Sequence, residues 1–449
     1  MRILRKMLCL RGWRAGLCAL WLANPPGSGT AATPPPVELS AWLEPAAAIW
    51  TRPAADVIAD PPAVFAWADA THTLARAPAG TCTFLGLKAW DCTLRVQADR
   101  PRGLEIVLYQ RGDAGELARE AYVQRVRDTA AMVEKWAGSP GQKASDELHT
   151  AGVKRESLIW VRQGTRVRLS GSYSTKDRDG SFAFRAEYLR VTCEPAAGAG
   201  VASTAARPGA PRSPVAAAGT PARRAETRPN GDVVLTAVPM VDQGEKGYCS
   251  VATLERITRY YGLPIDQHEL AQLAASDPSA GTDAHLLMEA LQRVGPRIGL
   301  RARTLEEIKL DDAVRLIDRY NREAKRAGKP EIVTGRMIDL GKVYQQMDGG
   351  VLKEARSKDG GGRKGMLTDI QKALADGVPL VWSVMLGKVA EVPALKQASG
   401  GHMRLIIGCN PKTNEILYSD SWGPGHEEKR MALDDAWTIT LGRYRVEAR

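Results

Sequence analysis

Between Pro195 and Asn230 the sequence narrows to little more than Ala, Gly, Pro, Ser, Thr and Arg, with no aromatic residue and only two valines. Such a stretch has too little apolar surface to offset the entropy of ordering it, so it reads as a linker between parts that fold separately. The chain must therefore build two cores, and its 449 residues suffice for both without a special device. The expected division is a leader at 1–32, an N-terminal module at 42–194, the linker at 195–230 and a C-terminal domain at 231–449. Arg207, Arg212, Arg223, Arg224 and Arg228 make the linker cationic, which suits a solvated tether.

The leader carries Arg2, Arg5, Lys6, Arg11 and Arg14 ahead of the apolar run Ala15 to Ala23, followed by Pro25, Pro26 and small residues up to Ala32. Basic, then apolar, then small is the pattern of a secretory signal, and the expectation is export to the periplasm or cell surface. A protein whose leader is not a signal stays in the cytoplasm. The apolar run falls well short of the roughly 20 residues that span a bilayer, so no transmembrane segment is expected.

Cysteines stand at 9, 18, 82, 92, 193, 249 and 409, and loss of the leader leaves an odd number. Either Cys82 and Cys92 bridge neighbouring strands while Cys249 stays reduced, or all remain thiols. The net charge of +11 favours loose contact with anionic surfaces, but charges of both signs are mixed along the chain. Without a zinc-finger spacing, an RNA-recognition motif or an Arg-rich helix, no specific nucleic-acid partner is expected.

Alternation of polar and apolar residues near Thr83–Leu87, Cys92–Val96 and Leu104–Tyr109 predicts short strands. From Glu116 to Trp136 the period changes, and Leu117, Val123, Val126, Ala130 and Val133 line one side of a helix. Strand patterns resume at Ser157–Val161, Thr165–Ser172 and Phe182–Val191. This order predicts a small α+β domain, an antiparallel sheet with one face covered by the helix.

Beyond the linker, Val233-Val234-Leu235-Thr236 reads as a strand. Then comes Gln243-Gly-Glu-Lys-Gly-Tyr-Cys249, followed by Val251, Leu254, Ile257 and Tyr261 at helical spacing up to Gly262. Cys249 thus opens a helix, where unpaired backbone donors and the positive end of the dipole favour a thiolate over a thiol. Gly244 and Gly247 allow a tight turn before it, and a preceding amide side chain can join the Cys249 N–H as an oxyanion hole.

These segments resemble the papain-like cysteine peptidase superfamily, and within it bacterial peptidases that remove double-glycine (bacteriocin) leaders. Gln243 matches the family's oxyanion-hole glutamine, Cys249 follows at the expected offset, and Gly281-Thr282 with the helix from Ala284 to Leu291 looks like its second segment. Gly400-Gly401-His402 leads into the apolar strand Met403–Ile407, a turn at Asn410–Thr413, and Ile416–Ser419 running into Asp420-Ser421-Trp422-Gly423. In the resembled fold a histidine begins one central strand and an Asn or Asp ends the next. The resemblance therefore implies Cys249 as nucleophile, His402 as its base, Asp420 as the group orienting His402, and Trp422 as a cover for that pair. The fold it implies is α+β, a papain-like cysteine protease domain preceded by the smaller module. That module, through Trp50–Pro53, Phe84-Leu85-Gly86 and Tyr109–Gly115, resembles one found in uncharacterised bacterial proteins.

The pattern departs from the family between Leu305 and Gly377, where charged helical stretches at Leu305–Ala327 and Met337–Arg356 and a flexible loop at Ser357–Gly362 are expected. His426, in a polar turn, competes weakly with His402. The remaining histidines form no metal-ligand spacing, so neither metal nor cofactor is expected. The functional expectation is hydrolysis of a peptide or protein substrate through an acyl-enzyme. The alternatives are acyl transfer to an amine, as in transglutaminases, and a non-catalytic protein-interaction module that keeps the fold.

Overall fold

The computed structural model describes residues 35–449 except 46–47, 69–70, 145–152, 177–181, 197–224, 237, 244–247, 264, 266, 274–283, 335–338, 393–394, 396 and 398. The leader, the two glycines before Cys249 and Gly281-Thr282 lie outside the described residues. The chain divides into two compact units, one within Cys18–Ala216 and one within Ala217–Arg449.

The first unit is α+β. Its main sheet is antiparallel, with strands in the spatial order Ala66–Trp67, Leu74–Ala77, Asp91–Gln97, Arg100–Gln110, Phe182–Pro195, Thr165–Lys176, Val153–Arg162 and Gln142–Ala144. The helix Arg119–Ala137 packs on it through Tyr122, Val126, Ala130 and Val133. Tyr122, absent from the aliphatic pattern, anchors that face: its hydroxyl reaches the carbonyls of Ser172 at 3.2 Å and Tyr188 at 3.0 Å. Cys82 and Cys92 do not bridge; all five described cysteines are free thiols, and these two lie side by side in the core.

The second unit is also α+β, with helices on both faces of one antiparallel sheet. Along the sheet the strands are Glu226–Thr227, Val233–Val234, Gly400–Asn410, Leu380–Leu386, Thr440–Ala448 and Leu300–Glu307, and a side branch adds Glu415–Ser419 and Lys429–Ala432. Of the expected linker, residues 197–224 lie outside the described residues, and strands reach its two edges. Pro195 closes a strand of the first unit, and Glu226 and Thr227 pair with Val234 and Val233.

The strand Leu380–Leu386 is buried at every position, as a strand covered on both faces must be. Val381, Met403, Leu405 and Ile407 face a core shared with the helices Cys249–Tyr260 and Ala284–Val294. Trp382, Val384 and Ile406 face the opposite core, with Ile370, Leu374 and Trp437 of the helices Gly360–Ala375 and Leu433–Ile439.

In the long insertion the first expected helix is split between the end of the strand Leu300–Glu307 and the helix Leu310–Arg326. The second is interrupted at Met347 and Asp348, giving Leu340–Gln346 and Gly349–Ser357. Leu316, Tyr320, Tyr344 and Leu352 build a core of their own against Met385 and Leu441.

The expected loop at Ser357–Gly362 is instead a helix start. Asp359 caps it by accepting from the Gly362 N–H at 3.0 Å, so Gly360, Gly361 and Gly362 form its first turn. Gly362 is required by contact, since a Cβ there would lie 2.5 Å from ring carbons of Trp437.

Candidate active site

Cys249 is the first residue of its helix, preceded by Tyr248 with φ −96° and ψ 13° and no side-chain cap. The N–H groups of the first turn have no intrahelical acceptors, and their partial positive charge gathers around the sulfur. Gly262, at φ 73°, ends the helix. Thr253, one turn in, donates to the Met403 carbonyl at 3.1 Å and ties this helix to the strand that carries His402.

The antiparallel ladder sets Leu405 opposite Ser419, so His402 and Arg404, two residues apart on one face, both reach Asp420. His402 Nε2 donates to Asp420 Oδ1 at 3.0 Å, and both side chains are fully buried. With Nε2 committed, Nδ1 is the nitrogen left to exchange a proton. It completes no hydrogen bond among the described residues. The Cys249 thiol lies beside the imidazole, and each shifts the other. A gap of this kind is ordinary before substrate binds, because such contacts tighten in the complex.

Burial pushes the Cys249 thiol up, but the hydrogen bond and charge of His402, with the Met403 N–H, outweigh it and hold the thiol below its ordinary pKa. Burial disfavours the His402 imidazolium, yet Asp420 and Cys249 raise its pKa above the usual value. Desolvation would raise Asp420, but the Arg404 charge and the His402 hydrogen bond keep it well below the carboxylate range. The three shifts favour one arrangement, a thiolate next to an imidazolium next to a carboxylate. Cys249 is also partly exposed, whereas Cys82, Cys92, Cys193 and Cys409 are buried.

Gln243 sits against the residue after Asp420. Its backbone N–H donates to the Ser421 carbonyl at 2.9 Å, and its Oε1 accepts from Ser421 Oγ at 2.7 Å. With the oxygen anchored, the amide nitrogen is the donor end. Trp422 stacks on His402, and its edge meets His426. His426 lies in the expected turn but is buried, with Nδ1 3.9 Å from Asp420 Oδ2.

Sequence reasoning missed three cations that hold this arrangement. Arg256, in the cysteine helix, donates to the carbonyls of Pro239 at 2.8 Å and Asp420 at 2.9 Å and to Ser419 Oγ at 2.5 Å. Its burial is deep enough to lower its pKa to about 10. Arg404 Nε lies 2.6 Å from Asp420 Oδ1, and Lys429 Nζ donates to Oδ2 at 3.1 Å. The signal was a lone Arg inside the apolar run Met403–Ile407 and another on the apolar side of a helix; a buried charge demands a partner.

Residues 235–446 match the family described as the Peptidase_C39 like family. The C-terminal domain is a papain-like, cysteine-protease-like domain. The matched residues lie within this protease-like domain. Among solved structures, the crystal structure of xylellain, a cysteine protease from Xylella fastidiosa, is similar at 13% identity and a TM-score of 0.26, over 49% of this chain and 86% of that one. No curated protein matches the chain. Among the described residues of the protease-like domain and the module, no group of three His, Cys, Asp or Glu is placed to hold a metal, and no helix is long and apolar enough to cross a membrane.

Proposed function

We propose that the C-terminal domain is a cysteine-type peptidase in which Cys249 is the nucleophile, His402 the general base and acid, Asp420 the orienting carboxylate and Gln243 an oxyanion donor. The observation that carries this reading is the commitment of His402 Nε2 to Asp420, which leaves Nδ1 toward the Cys249 thiol at a helix start. Cys249 transfers its proton to His402 Nδ1 and attacks a peptide carbonyl carbon. The oxygen of the tetrahedral intermediate takes up negative charge and is stabilised by the Cys249 N–H and the Gln243 amide. His402 then protonates the leaving amine, and water, deprotonated by the same nitrogen, releases the acid and restores the thiol. The resemblance to double-glycine leader peptidases supports peptides as the first substrates to try.

The test is cleavage of an internally quenched peptide library by the full chain, with iodoacetamide alkylation of Cys249 followed against pH in parallel. The expected result is cleavage that is lost in Cys249→Ala, and an alkylation midpoint below the roughly 8.5 of an ordinary thiol that rises in His402→Ala. An alkylation midpoint at the ordinary value, unmoved by His402→Ala, overturns the activated cysteine. Products extended by an added amine would assign acyl transfer in place of hydrolysis.

A further inference from the structure

A second carboxylate lies behind the first. Glu391 belongs to the connection between the strands Leu380–Leu386 and Gly400–Asn410; its neighbour Val392 is 85% exposed, yet its own side chain is 1% exposed. Its oxygens meet Arg404 at 2.9 and 3.1 Å and Lys429 at 3.4 Å, and one accepts from the Tyr418 hydroxyl at 2.5 Å. Arg404 and Lys429 are the two cations that also hold Asp420, one on each carboxylate oxygen. Each is thus shared between two carboxylates. Tyr418 and Trp422 wall the cluster, with the Arg404 guanidinium 4.8 Å from the Tyr418 ring centre and Lys429 Nζ 5.8 Å from that of Trp422.

The arrangement has an electrostatic consequence. Were Arg404 and Lys429 paired with Asp420 alone, they would cancel its charge and repel an imidazolium at His402. Glu391 takes up half of their hold, so Asp420 keeps a negative charge to offer His402. The other groups facing Asp420 are His426 from the following turn and Arg256 from the cysteine helix, with Glu427 acting on Arg256. None of these contacts Glu391 in the described hydrogen bonds.

We propose that Glu391, Arg404 and Lys429 are positioning residues that set the proton balance between His402 and Cys249, with Glu391 the counter-charge that keeps Asp420 available to His402. The proposal rests on the peptidase reading for its purpose, but its test does not depend on turnover. Glu391→Gln keeps the shape and leaves one extra positive charge, which favours the Cys249 thiolate and disfavours the His402 imidazolium. Both transitions then move to lower pH. Lys429→Met removes a positive charge and moves both to higher pH.

In the full chain, alkylation of Cys249 is read by mass spectrometry of its peptide, and His402 is titrated by NMR of its ring protons, assigned with His402→Ala. The expected shifts are about half a unit to one unit, downward for Glu391→Gln and upward for Lys429→Met, with Glu391→Asp restoring the parent midpoints. Opposite signs are what a loss of packing alone cannot produce. Should one variant fail to fold by circular dichroism, the sign in the other decides. Midpoints within about 0.2 unit of the parent in a folded variant, or shifts of the same sign in both, overturn the proposal. Shifted titrations in a protein that cleaves no peptide would remove the peptidase reading and leave the cluster standing; unshifted titrations with cleavage retained would do the reverse.

Discussion

The indole of Trp422 lies nearly flat on the imidazole of His402, with ring centres 4.3 Å apart and planes 18° from parallel. The same indole is 3% exposed and flanks the cations that hold Asp420, so one side chain keeps water from the whole hydrogen-bonded pair. Excluding water strengthens a charge-assisted bond and holds the imidazole in one orientation. Trp422→Phe should retain most of the activity, since a flat apolar cover remains. Trp422→Ala should lower kcat/KM by about tenfold or more and cost on the order of 3–5 kcal/mol of stability. Peptide cleavage kinetics and urea denaturation of both variants check this.

Asp420 gives a signed prediction for stability against pH. Its folded pKa lies well below its unfolded value, so its contribution is fully present above about pH 4 and is lost as pH falls through the folded value. Asp420→Asn leaves Arg404 and Lys429 with Glu391 alone, and at neutral pH it should cost about 3–5 kcal/mol. As urea unfolding is repeated at falling pH, the gap between the parent and Asp420→Asn should hold from pH 7 to about pH 4 and narrow from there to pH 3. A gap that stays constant below about pH 4 as well would mean the carboxylate is not the ionised partner of the two cations.

Gln243 and Ser421 should behave as a pair. Gln243→Ala removes the amide donor, with an expected cost near 2.7–4 kcal/mol in transition-state stabilisation and little change in the alkylation of Cys249. Ser421→Ala removes only the hydroxyl that anchors Gln243 Oε1, so it should lower kcat by less while KM stays close to the parent. Equal losses of alkylation and cleavage in Gln243→Ala would show that the amide shapes the cysteine and not the transition state.

Two adjacent glycines should respond in opposite directions. A Cβ at Gly361 would meet only Asp359 Oδ1 at 4.0 Å, so Gly361→Ala should stabilise the domain by roughly 0.5–1 kcal/mol through helix propensity. A Cβ at Gly362 would press on the Trp437 ring, and Gly362→Ala should destabilise by about 1–3 kcal/mol. Thermal denaturation of the two variants separates them.

Much of this was legible because it is written in local patterns. Alternation marked the strands around Cys92–Val96 and Thr165–Ser172, and the spacing from Val251 to Tyr261 placed Cys249 at a helix start, where the structure has it. The triple glycine misled because its composition is that of a loop; the cap from Asp359 and the close approach of Trp437, distant in sequence, turn it into a helix. Arg404 passed unnoticed inside an apolar strand, and its position there gave no sign of its partners. Glu391 is a lone carboxylate in the largely apolar stretch Val389–Leu395 and Lys429 one of several charges in Glu427–Arg430; neither pattern names a partner, and only the folded chain brings Glu391 to Lys429 and Lys429 to Asp420. A strand at the edge of the expected linker was hidden for a similar reason: Glu226 and Thr227 take strand geometry by pairing with Val234 and Val233.

The ladder that sets Leu405 opposite Ser419 makes Arg404 and Asp420 the next positions outward, with His402 one further step along the same face. A slip of one residue between these strands would turn Met403 and Leu405 toward the carboxylate and carry His402 and Arg404 to the opposite core. The carboxylate would then be enclosed among hydrocarbon with no cation on its inner oxygen, a state that folding cannot tolerate. Asp420 thus penalises a one-residue misalignment: the register that gives its charge a cation also seats His402 beside it.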